Sequence, residues 1–420
     1  MGVLGRVMWG PTNARLWLLI LVLVALGPAV PAQAAGSGVL ACGQTITADT
    51  TLTVDMVGCV GAGLVIGADG ITLDLAGHTI AGDGRAQDCP GDAPCDVGVD
   101  NGAGHSDVTV TGPGTIRGFA FGVYAAQPAQ GLRLERLSIW DNSLFGGVVF
   151  GGDNAVYDRN LFTGNGISGL AVVHARHVQV TRNTVTGSAG YGIPLFRVDA
   201  SNISDNVLHA NDHGLLVDAG SDDAILRNTM TRSGGSSIDI GDGAARNQIV
   251  GNRLSDNGDG IVLTNAHDNY ISDNVVTGTG LAGFPDAGGF GLILDGSGTN
   301  TIVRNRITGG RGPAVLVTSL DSPDPSVGNV LSRNRVSSGG TDALVVEHGA
   351  VNTLVDQNRA SDSGGDGIRI DAPGTVVTRN IADDNRALGI QGGVGTVDGG
   401  GNRARGNGDP VQCTGVICRL

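Results

Sequence analysis

The sequence predicts an all-β fold, a single-stranded parallel β-helix solenoid of about 13–14 coils with about 22–24 residues each. Three observations predict it. An asparagine returns at a nearly fixed interval, short apolar runs surround each copy, and glycine contributes 72 of the 420 residues. The recurring asparagines are Asn160, Asn183, Asn206, Asn228, Asn252, Asn274, Asn305, Asn334, Asn358, Asn380 and Asn402.

Each repeat contains three short apolar runs separated by turn residues. In the repeat around Asn183, Val180 precedes the asparagine, Val185 follows it, and a third run opens at Gly192. Short β-branched runs separated by Gly, Asn, Asp and Ser indicate strands and turns. Each coil then pairs with its neighbours about 4.8 Å away. We interpret the asparagine row as structural, with side-chain amides bonded along the axis and a left-handed turn that asparagine tolerates.

The first 34 residues form a predicted signal peptide. Arg6 and Arg15 precede or border an apolar run over 16–27, and Ala32 to Ala34 offers a small-residue cleavage pattern. An uncleaved anchor is the alternative, although the run is shorter than the roughly 20 residues that a membrane span needs. Residues 35–420 are predicted to form one solenoid domain, and no stretch after residue 34 is predicted to cross a membrane. We expect the mature protein to be extracellular or periplasmic.

Six cysteines form three local pairs near the ends of the solenoid. An even number in an exported chain indicates disulfides. Fifteen pairings are formally possible for six cysteines, and the local set is the simplest. The expected pairs are Cys42 with Cys59, Cys89 with Cys95, and Cys413 with Cys418.

The charge of the chain argues against nucleic acid or an anionic membrane as a partner. Its formal net charge is −14, from 26 basic and 40 acidic residues. Many arginines adjoin the ladder asparagines, as Arg182 and Arg306 do, so they form a stripe along the solenoid. This stripe is either a groove for a carboxylated or sulfated glycan, or a set of turn arginines neutralised by nearby aspartates. We favour neutralisation.

Two phrases connect the sequence to a known family. The segment Gly77-His-Thr-Ile and the repeated Arg-Asn-x-Val phrase resemble the right-handed parallel β-helix repeat family. That family includes pectate lyase-like proteins, alginate C5-epimerases and lyases, and periplasmic β-helix proteins linked to copper enzyme maturation. The resemblance implies a right-handed solenoid that acts on or binds polysaccharide, and it does not single out one activity.

A candidate catalytic segment begins at Tyr191. Alginate epimerases carry a segment similar to Tyr191-Gly-Ile-Pro-Leu-Phe-Arg, but their aspartate and histidine are missing here. Abstracting a proton beside a uronate carboxylate needs a base, a proton donor and a cation. Tyr191, His213 and Arg197 could supply these roles, with Asp218 or Asp239 beside them. The alternative, which we favour, is a polar corner without catalytic function.

Aromatic residues are concentrated between Phe119 and Phe196. We favour the interpretation that these aromatic side chains stack on one another in the interior of the solenoid. The alternative is a sugar-binding platform around Trp140, Phe150 and Phe196, with Arg182 and Asp239 as polar contacts. No cofactor is predicted. Aspartate-rich turns could hold Ca²⁺, yet the nonapeptide array that binds Ca²⁺ in other β-helices is absent.

These observations lead to three hypotheses about function. The leading one is an exported β-helix protein that contacts polysaccharide, including anionic polysaccharide, without intact catalytic machinery. The second is a uronate-polysaccharide C5-epimerase or lyase centred on Tyr191, His213 and Arg197. The third is a structural or adhesive spacer at the cell surface.

Overall fold

Three long parallel sheets build the molecule. The computed structural model describes residues 40–85, 95–280, 288–320, 322–338 and 340–419, and these contain strands, turns and no helix. The chain visits sheets 1, 2 and 3 in turn, and successive strands of a sheet are one coil apart. This confirms the predicted all-β parallel solenoid. The sheets contain 16, 15 and 16 strands, which exceeds the predicted coil number because the coils at both ends lack the asparagine that marks the others.

The strands are short, and most contain three to six residues. Sheet 1 consists of Gln44–Ile46, Leu64–Ile66, Val97–Asn101, Phe121–Ala125, Phe145–Phe150, Ser168–Arg176, Tyr191–Asp199, His213–Asp218, Ser236–Gly241, Asp259–Thr264, Leu292–Asp295, Val315–Thr318, Leu344–Val346, Ile368–Ile370, Ile390–Gly392 and Cys413–Thr414. Sheet 2 consists of Thr50–Thr51, Thr72–Asp74, Thr109–Thr111, Arg133–Glu135, Val156–Asp158, Gln179–Thr181, Asn202–Ser204, Ala224–Leu226, Gln248–Val250, Tyr270–Ser272, Thr301–Val303, Val330–Ser332, Leu354–Asp356, Val376–Thr378 and Val397–Gly400. Sheet 3 consists of Met56–Cys59, Thr79–Gly82, Thr115–Arg117, Ser138–Trp140, Leu161–Thr163, Thr184–Thr186, Val207–His209, Thr229–Thr231, Arg253–Ser255, Val275–Thr277, Arg306–Thr308, Arg335–Ser337, Arg359–Ser361, Ile381–Asp383, Asn402–Arg405 and Cys418–Arg419. A separate pair is formed by Ser326–Val327 and Ala350–Val351.

The asparagine row lies buried at the corner between sheets 2 and 3. Asn183 Oδ1 accepts the backbone N–H of Asn160 at 2.9 Å and its side-chain amide at 3.0 Å. Asn183 Nδ2 also donates to the carbonyl of Tyr157 at 2.8 Å. The structural interpretation of the row is therefore confirmed. The left-handed residue, however, is the one directly before each asparagine, as Arg182 shows with a φ of 55°.

Two further polar ladders occupy the other corners, and the sequence analysis did not find them. Because these ladders contain serine and aspartate as well as asparagine, no single residue type recurs at a fixed interval in the sequence. Between sheets 1 and 2 the ladder contains Ser201, Asp223, Asn247, Asn269, Asn300 and Asn329. Between sheets 3 and 1 the ladder includes Asn142, Asn165, Asn211, Asn257, Asn385 and Asn407.

One continuous apolar core fills the solenoid from Ile46 to Ala404. The inward residue of each strand stacks on the inward residues of neighbouring coils, as Val180 does on Tyr157 and Ile203. Stability in such a fold comes from contacts between neighbouring coils. Only part of the aromatic set is in this core, where Phe119, Tyr157 and Phe162 are fully buried.

Disulfides lie at the two ends. Cys42 is bonded to Cys59 and Cys413 to Cys418, as predicted. Cys95 is also disulfide-bonded, and its expected partner Cys89 lies outside the described residues. The predicted signal peptide, residues 1–34, lies outside them too. Among the residues that the structure describes, no helix is long and apolar enough to cross a membrane.

Candidate functional site

The outer face of sheet 1 carries most of the candidate residues. Many strands of this sheet open at a glycine corner, where two consecutive residues face the interior. At Gly192 a Cβ would lie 3.0 Å from both the carbonyl oxygen of Gly214 and Leu208 Cδ2, so only glycine fits there without displacement. The residue before this glycine therefore faces outward. In this strand the outward residues are Tyr191, Pro194 and Phe196.

Tyr191, His213 and Asp239 form a polar cluster across three adjacent coils. Tyr191 and His213 are paired in register, and their ring centroids lie 4.7 Å apart with the planes tilted by 33°. His213 Nδ1 lies 3.3 Å from Asp239 Oδ2 and 3.3 Å from the backbone nitrogen of Ser236. Asp239 is only 7% exposed. A buried carboxylate thus backs a histidine whose ring lies against a tyrosine.

Burial and charge fix the protonation of this cluster. Burial of the ring, followed by the nearby charge of Asp239, holds the pKa of Tyr191 well above its usual value. Desolvation lowers the pKa of His213, but the attraction of Asp239, Asp212 and Asp259 outweighs it, and the net pKa is raised. Tyr191 therefore keeps its proton and can donate a hydrogen bond, and His213 is biased towards the imidazolium form.

Asp218 and Arg197 lie on the same face, towards the far ends of the strands that begin at His213 and Tyr191. Burial and then the charge of Asp242 raise the pKa of Asp218 to about 6, although the charge of Arg197 opposes the shift. Arg197 follows Phe196 in a left-handed conformation with a φ of 51°. Its side chain is exposed, and its Nη1 lies 3.3 Å from His174 Nε2. All four predicted catalytic residues therefore lie on one face of two neighbouring coils.

An aromatic cluster continues this face towards the N-terminus. Phe121 and Phe145 are stacked with ring centroids 5.9 Å apart, and Tyr124 lies 6.1 Å from Phe150. Phe145, together with Val148 and Ala171, forms a small apolar core outside the solenoid, against which the other three rings pack. Phe150 shares an outward row with Phe196, separated by Val173.

Trp140 and Arg182 do not belong to this face, so their predicted grouping with Phe150 and Phe196 is wrong. Trp140 lies on the outer face of sheet 3, where its ring is covered by the guanidinium of Arg117 at 5.0 Å. Arg182 occupies the corner between sheets 2 and 3 and pairs with Asp158 at 2.6 Å. The sequence separation of these residues did not reveal which of the three faces each one reaches.

Asp259 is a member of the site that the sequence analysis missed. It is 8% exposed and accepts the backbone N–H of Phe290 at 2.8 Å. Burial raises its pKa to about 6, with a further contribution from the charge of Asp239. The sequence contained a sign of this position, because Asp259 stands directly before a corner glycine, as Tyr191 and His213 do.

Sequence comparisons agree with the solenoid. A family model described as the right-handed beta helix region matches residues 195–323 and 286–415, which together span more than half of the chain. A model described as periplasmic copper-binding protein (NosD) matches residues 109–257. No curated protein matches the chain in sequence.

Several solved structures resemble the chain. The A-module of the mannuronan C-5 epimerase AlgE6 of Azotobacter vinelandii is 15% identical, with 88% of this chain and 91% of that chain covered and a TM-score of 0.48. An alginate lyase from Paenibacillus sp. is 13% identical, with 72% and 93% covered and a TM-score of 0.38. A tailspike protein of E. coli bacteriophage HK620 is 10% identical, with 90% and 73% covered and a TM-score of 0.47. At these identities and TM-scores the likeness says nothing about activity.

The description of the second family model raises the question of a copper site. Imidazole and sulfur side chains are the ligands that copper prefers in proteins. His174 adjoins Arg197, and His213 adjoins Tyr191 and Asp239, and none of these three neighbours is an imidazole or a sulfur ligand. Within the described ranges no three histidine, cysteine or acidic side chains are grouped as metal ligands. These residues do not fit copper, and the expectation that no cofactor is needed stays a prediction.

Proposed function

Because the chain belongs to the right-handed β-helix family, we propose that it binds a polysaccharide along the outer face of sheet 1. One observation carries the proposal. A half-buried aromatic cluster and a buried polar cluster lie on the same face, with the strand Ser168–Arg176 between them. Apolar patches rimmed by polar groups mark interaction sites on soluble proteins.

The chemistry of a sugar chain suits this pairing. A pyranose ring has an apolar face of C–H groups and a rim of hydroxyls. The C–H face can pack on Phe150 and Phe196, because aromatic rings bury large areas with little loss of rotamer freedom. The hydroxyl rim can bond to Asp218, Asp239 and the hydroxyl of Tyr191. Because the face is a straight array of parallel strands, it suits an extended chain better than a single sugar.

Binding of the purified mature protein to a glycan array tests the proposal. We expect the double variant Phe150→Ala and Phe196→Ala to lose binding by at least about tenfold, which corresponds to about 1.4 kcal/mol. The control is Tyr270→Ala, because Tyr270 is a comparably exposed aromatic on the outer face of sheet 2. Binding that survives the double variant would contradict the proposed face. A wild-type protein that binds no glycan would favour the spacer hypothesis.

Proton abstraction from a uronate is the second candidate, and the contact of Tyr191 with His213 favours it. A lyase or epimerase removes the proton at C5 of the sugar, beside its carboxylate. His213 could accept that proton only in its neutral form, which its raised pKa makes the minor form at low pH, so turnover should increase with pH; Asp239 would stabilise the resulting imidazolium. In a lyase reaction Tyr191 would transfer its proton to the leaving oxygen, on the same side of the sugar as His213. Arg197 lies six residues further along the strand than Tyr191, about 20 Å at the rise of an extended strand, so it would hold the carboxylate of a neighbouring sugar of the bound chain.

Turnover on alginate and pectate separates the two candidates. A lyase would produce unsaturated chain ends, detected by ultraviolet absorbance, and an epimerase would invert C5, detected by proton NMR. For an enzyme we expect His213→Ala and Tyr191→Phe each to lose at least about a hundredfold in turnover. The control is His209→Ala, because His209 lies on the outer face of sheet 3. Activity that is unchanged in both variants would exclude this pair as the catalytic residues.

We also propose that the chain is exported to the periplasm or beyond. The N-terminal pattern over residues 1–34 and the disulfides at both ends support export, since disulfides form and persist in oxidising compartments. N-terminal sequencing of the mature protein tests this. We expect it to begin at Ala35, and an intact Met1 on a cytoplasmic protein would contradict it.

A further inference from the structure

Three arginines are stacked in register on the outer face of sheet 3. Arg306 is paired with Arg335, and Arg335 with Arg359, in three consecutive strands. All three side chains are exposed. Adjacent strands lie about 4.8 Å apart, so the guanidinium groups project from one surface at that interval. We call these three residues the arginine ladder.

The arginine ladder differs from the arginines at the corners. Most arginines that precede a ladder asparagine pair with an aspartate one coil earlier, as Arg227 does with Asp205 at 2.8 Å and Arg304 with Asp273 at 2.8 Å. This confirms the predicted neutralisation for that set. Arg306 and Arg335 follow their asparagines instead and form no ion pair with any described residue. Arg359 reaches Asp383 only at 4.0 Å, and Asp383 is closer to Arg403 at 3.2 Å.

Repulsion between the guanidinium groups of the arginine ladder destabilises the folded protein. Like charges directly opposite each other on neighbouring strands destabilise a sheet. Arg333, at the corner beside the ladder, adds a fourth positive charge, and its Nε donates to the neutral Gln357. The chain as a whole carries a net charge of −14, so aspartates are abundant elsewhere. A bound anion would remove the repulsion within the ladder.

A row of hydroxyls runs parallel to the arginine ladder. Residues two positions apart in a strand share a face, so Thr308, Ser337 and Ser361 lie beside Arg306, Arg335 and Arg359. The hydroxyl row is in register from strand to strand between Thr277, Thr308 and Ser337. Guanidinium groups and hydroxyls therefore alternate across the face and repeat along the axis.

We propose that this face binds an extended carboxylated polysaccharide, with the carboxylates of alternate sugars on Arg306 and Arg359 and with Arg335 bonded to the sugar between them. A guanidinium binds a carboxylate through two parallel hydrogen bonds. Consecutive sugars of an extended chain point their carboxylates to opposite sides, and two sugars span about two strand spacings. Alternate carboxylates can therefore meet Arg306 and Arg359 while sugar hydroxyls contact Thr308, Ser337 and Ser361. This surface lies on a different sheet from the proposed Tyr191 face and goes beyond that function.

The surface suits a polyuronate better than a nucleic acid. Single-stranded nucleic acid is held by aromatic stacking as well as charge, and the ladder and its hydroxyl row contain no aromatic residue. Duplex binding relies on a broad basic surface, whereas the chain has an excess of acidic residues. Preferential binding to nucleic acid would therefore contradict the proposal.

Binding to oligomers of mannuronate, guluronate and galacturonate, measured by calorimetry at low and high salt, tests the proposal. The test variant replaces all three ladder residues, R306Q, R335Q and R359Q. We expect it to lose affinity by at least about tenfold at low salt, and we expect the binding of the wild type to weaken with salt. The control variant, R85Q, R232Q and R386Q, removes the same charge from exposed arginines elsewhere and should bind as the wild type does.

Stability provides a second readout. Because the triple substitution removes a repulsion, it should raise the unfolding temperature at low salt, and the gain should shrink as salt is added. Three results would overturn the proposal: no binding of the wild type to any of the three oligomers, equal binding by the test variant, or tighter binding to single-stranded DNA. Loss of binding in Phe150→Ala with Phe196→Ala, but not in the arginine variant, would leave only the sheet 1 face.

Discussion

Asp223 puts a carboxyl where the neighbouring coil has an asparagine. It is buried in the ladder between sheets 1 and 2, where its Oδ1 accepts the backbone N–H of Ser201 at 2.8 Å. Asn247, one coil later, uses its amide to donate to the carbonyl of Gly220 at 3.1 Å. The second oxygen of Asp223 can donate in this way only when it is protonated. Burial accordingly raises the pKa of Asp223 to about 8.

The first prediction is that Asp223→Asn stabilises the protein. An aspartate in an unfolded chain has a pKa of about 3.9, so between about pH 4 and pH 8 the folded protein holds a proton that the unfolded chain releases. Stability of the wild type therefore falls as pH rises through this range. We expect the variant to gain about 2 kcal/mol or more near pH 7 and little near pH 4, as measured by urea denaturation.

The neighbouring residue gives a matched control for this prediction. Asp222 is exposed and pairs with Arg246 at 2.8 Å. Exposed ion pairs contribute little, so Asp222→Asn should change stability by less than about 1 kcal/mol and show no rise with pH. A gain for Asp223→Asn that is equal at pH 4 and pH 7 would show that ionisation of Asp223 is not the cause.

At the scale of the strand and its corners, the polar ladders fix where each coil turns. Asn252 is a central member of the ladder between sheets 2 and 3. Its Nδ2 donates to the carbonyl of Ile225 at 2.9 Å and to Asn274 Oδ1 at 3.0 Å. Its Oδ1 accepts the backbone N–H and the amide of Asn228 at 2.9 and 3.1 Å. One side chain thus satisfies buried groups in both neighbouring coils.

The second prediction concerns this residue. Asn252→Ala leaves a buried N–H and a buried carbonyl without partners, and each costs about 1–3 kcal/mol. We expect a loss of about 3 kcal/mol in the free energy of unfolding. The control is Asn202→Ala on the outer face of sheet 2, which should change it by less than about 0.5 kcal/mol. Equal effects of the two substitutions would contradict the structural role of the ladder.

The corners also show how far the sequence could predict the structure. The ladder that contains Asn183 was visible because asparagine fills this position in every coil from Asn160 to Asn402. The ladder that contains Asp223 was not, because serine, aspartate and asparagine can accept the same backbone N–H. For the site, Tyr191 and His213 could be grouped from the sequence because they lie in successive repeats, each directly before a glycine. The sequence did not reveal that Trp140 and Phe150 lie on different faces. Trp140 is on sheet 3 and Phe150 on sheet 1, and the position of the corner between these two strands was not predicted.

At the scale of the molecule, the solenoid presents different chemistry on different sides. Sheet 1 carries aromatic residues and the Tyr191, His213 and Asp239 cluster, and sheet 3 carries the arginine ladder. Because each coil is stabilised by contacts with its neighbouring coils, local unfolding at one end should leave distant coils folded. The Cys413–Cys418 disulfide belongs to the last coil, whose strands pair with Ile390–Gly392 and Asn402–Arg405.

The third prediction follows from this organisation. Replacing Cys413 and Cys418 with serine should release the last coil and leave the central coils intact. Hydrogen exchange of backbone amides should therefore become faster over 402–419 and remain unchanged around Val172 and Leu195. Global unfolding at a lower temperature, with equal loss of protection in all coils, would contradict an assembly stabilised by neighbouring coils.

The most direct test of the central claim is a crystal structure of the protein with the oligosaccharide that binds best in the glycan array. We predict sugar rings that lie along the outer face of sheet 1, over Phe150 and Phe196 and within hydrogen-bonding distance of Asp218 or Tyr191. An oligosaccharide bound only on sheet 2 or at an end of the solenoid would contradict the account.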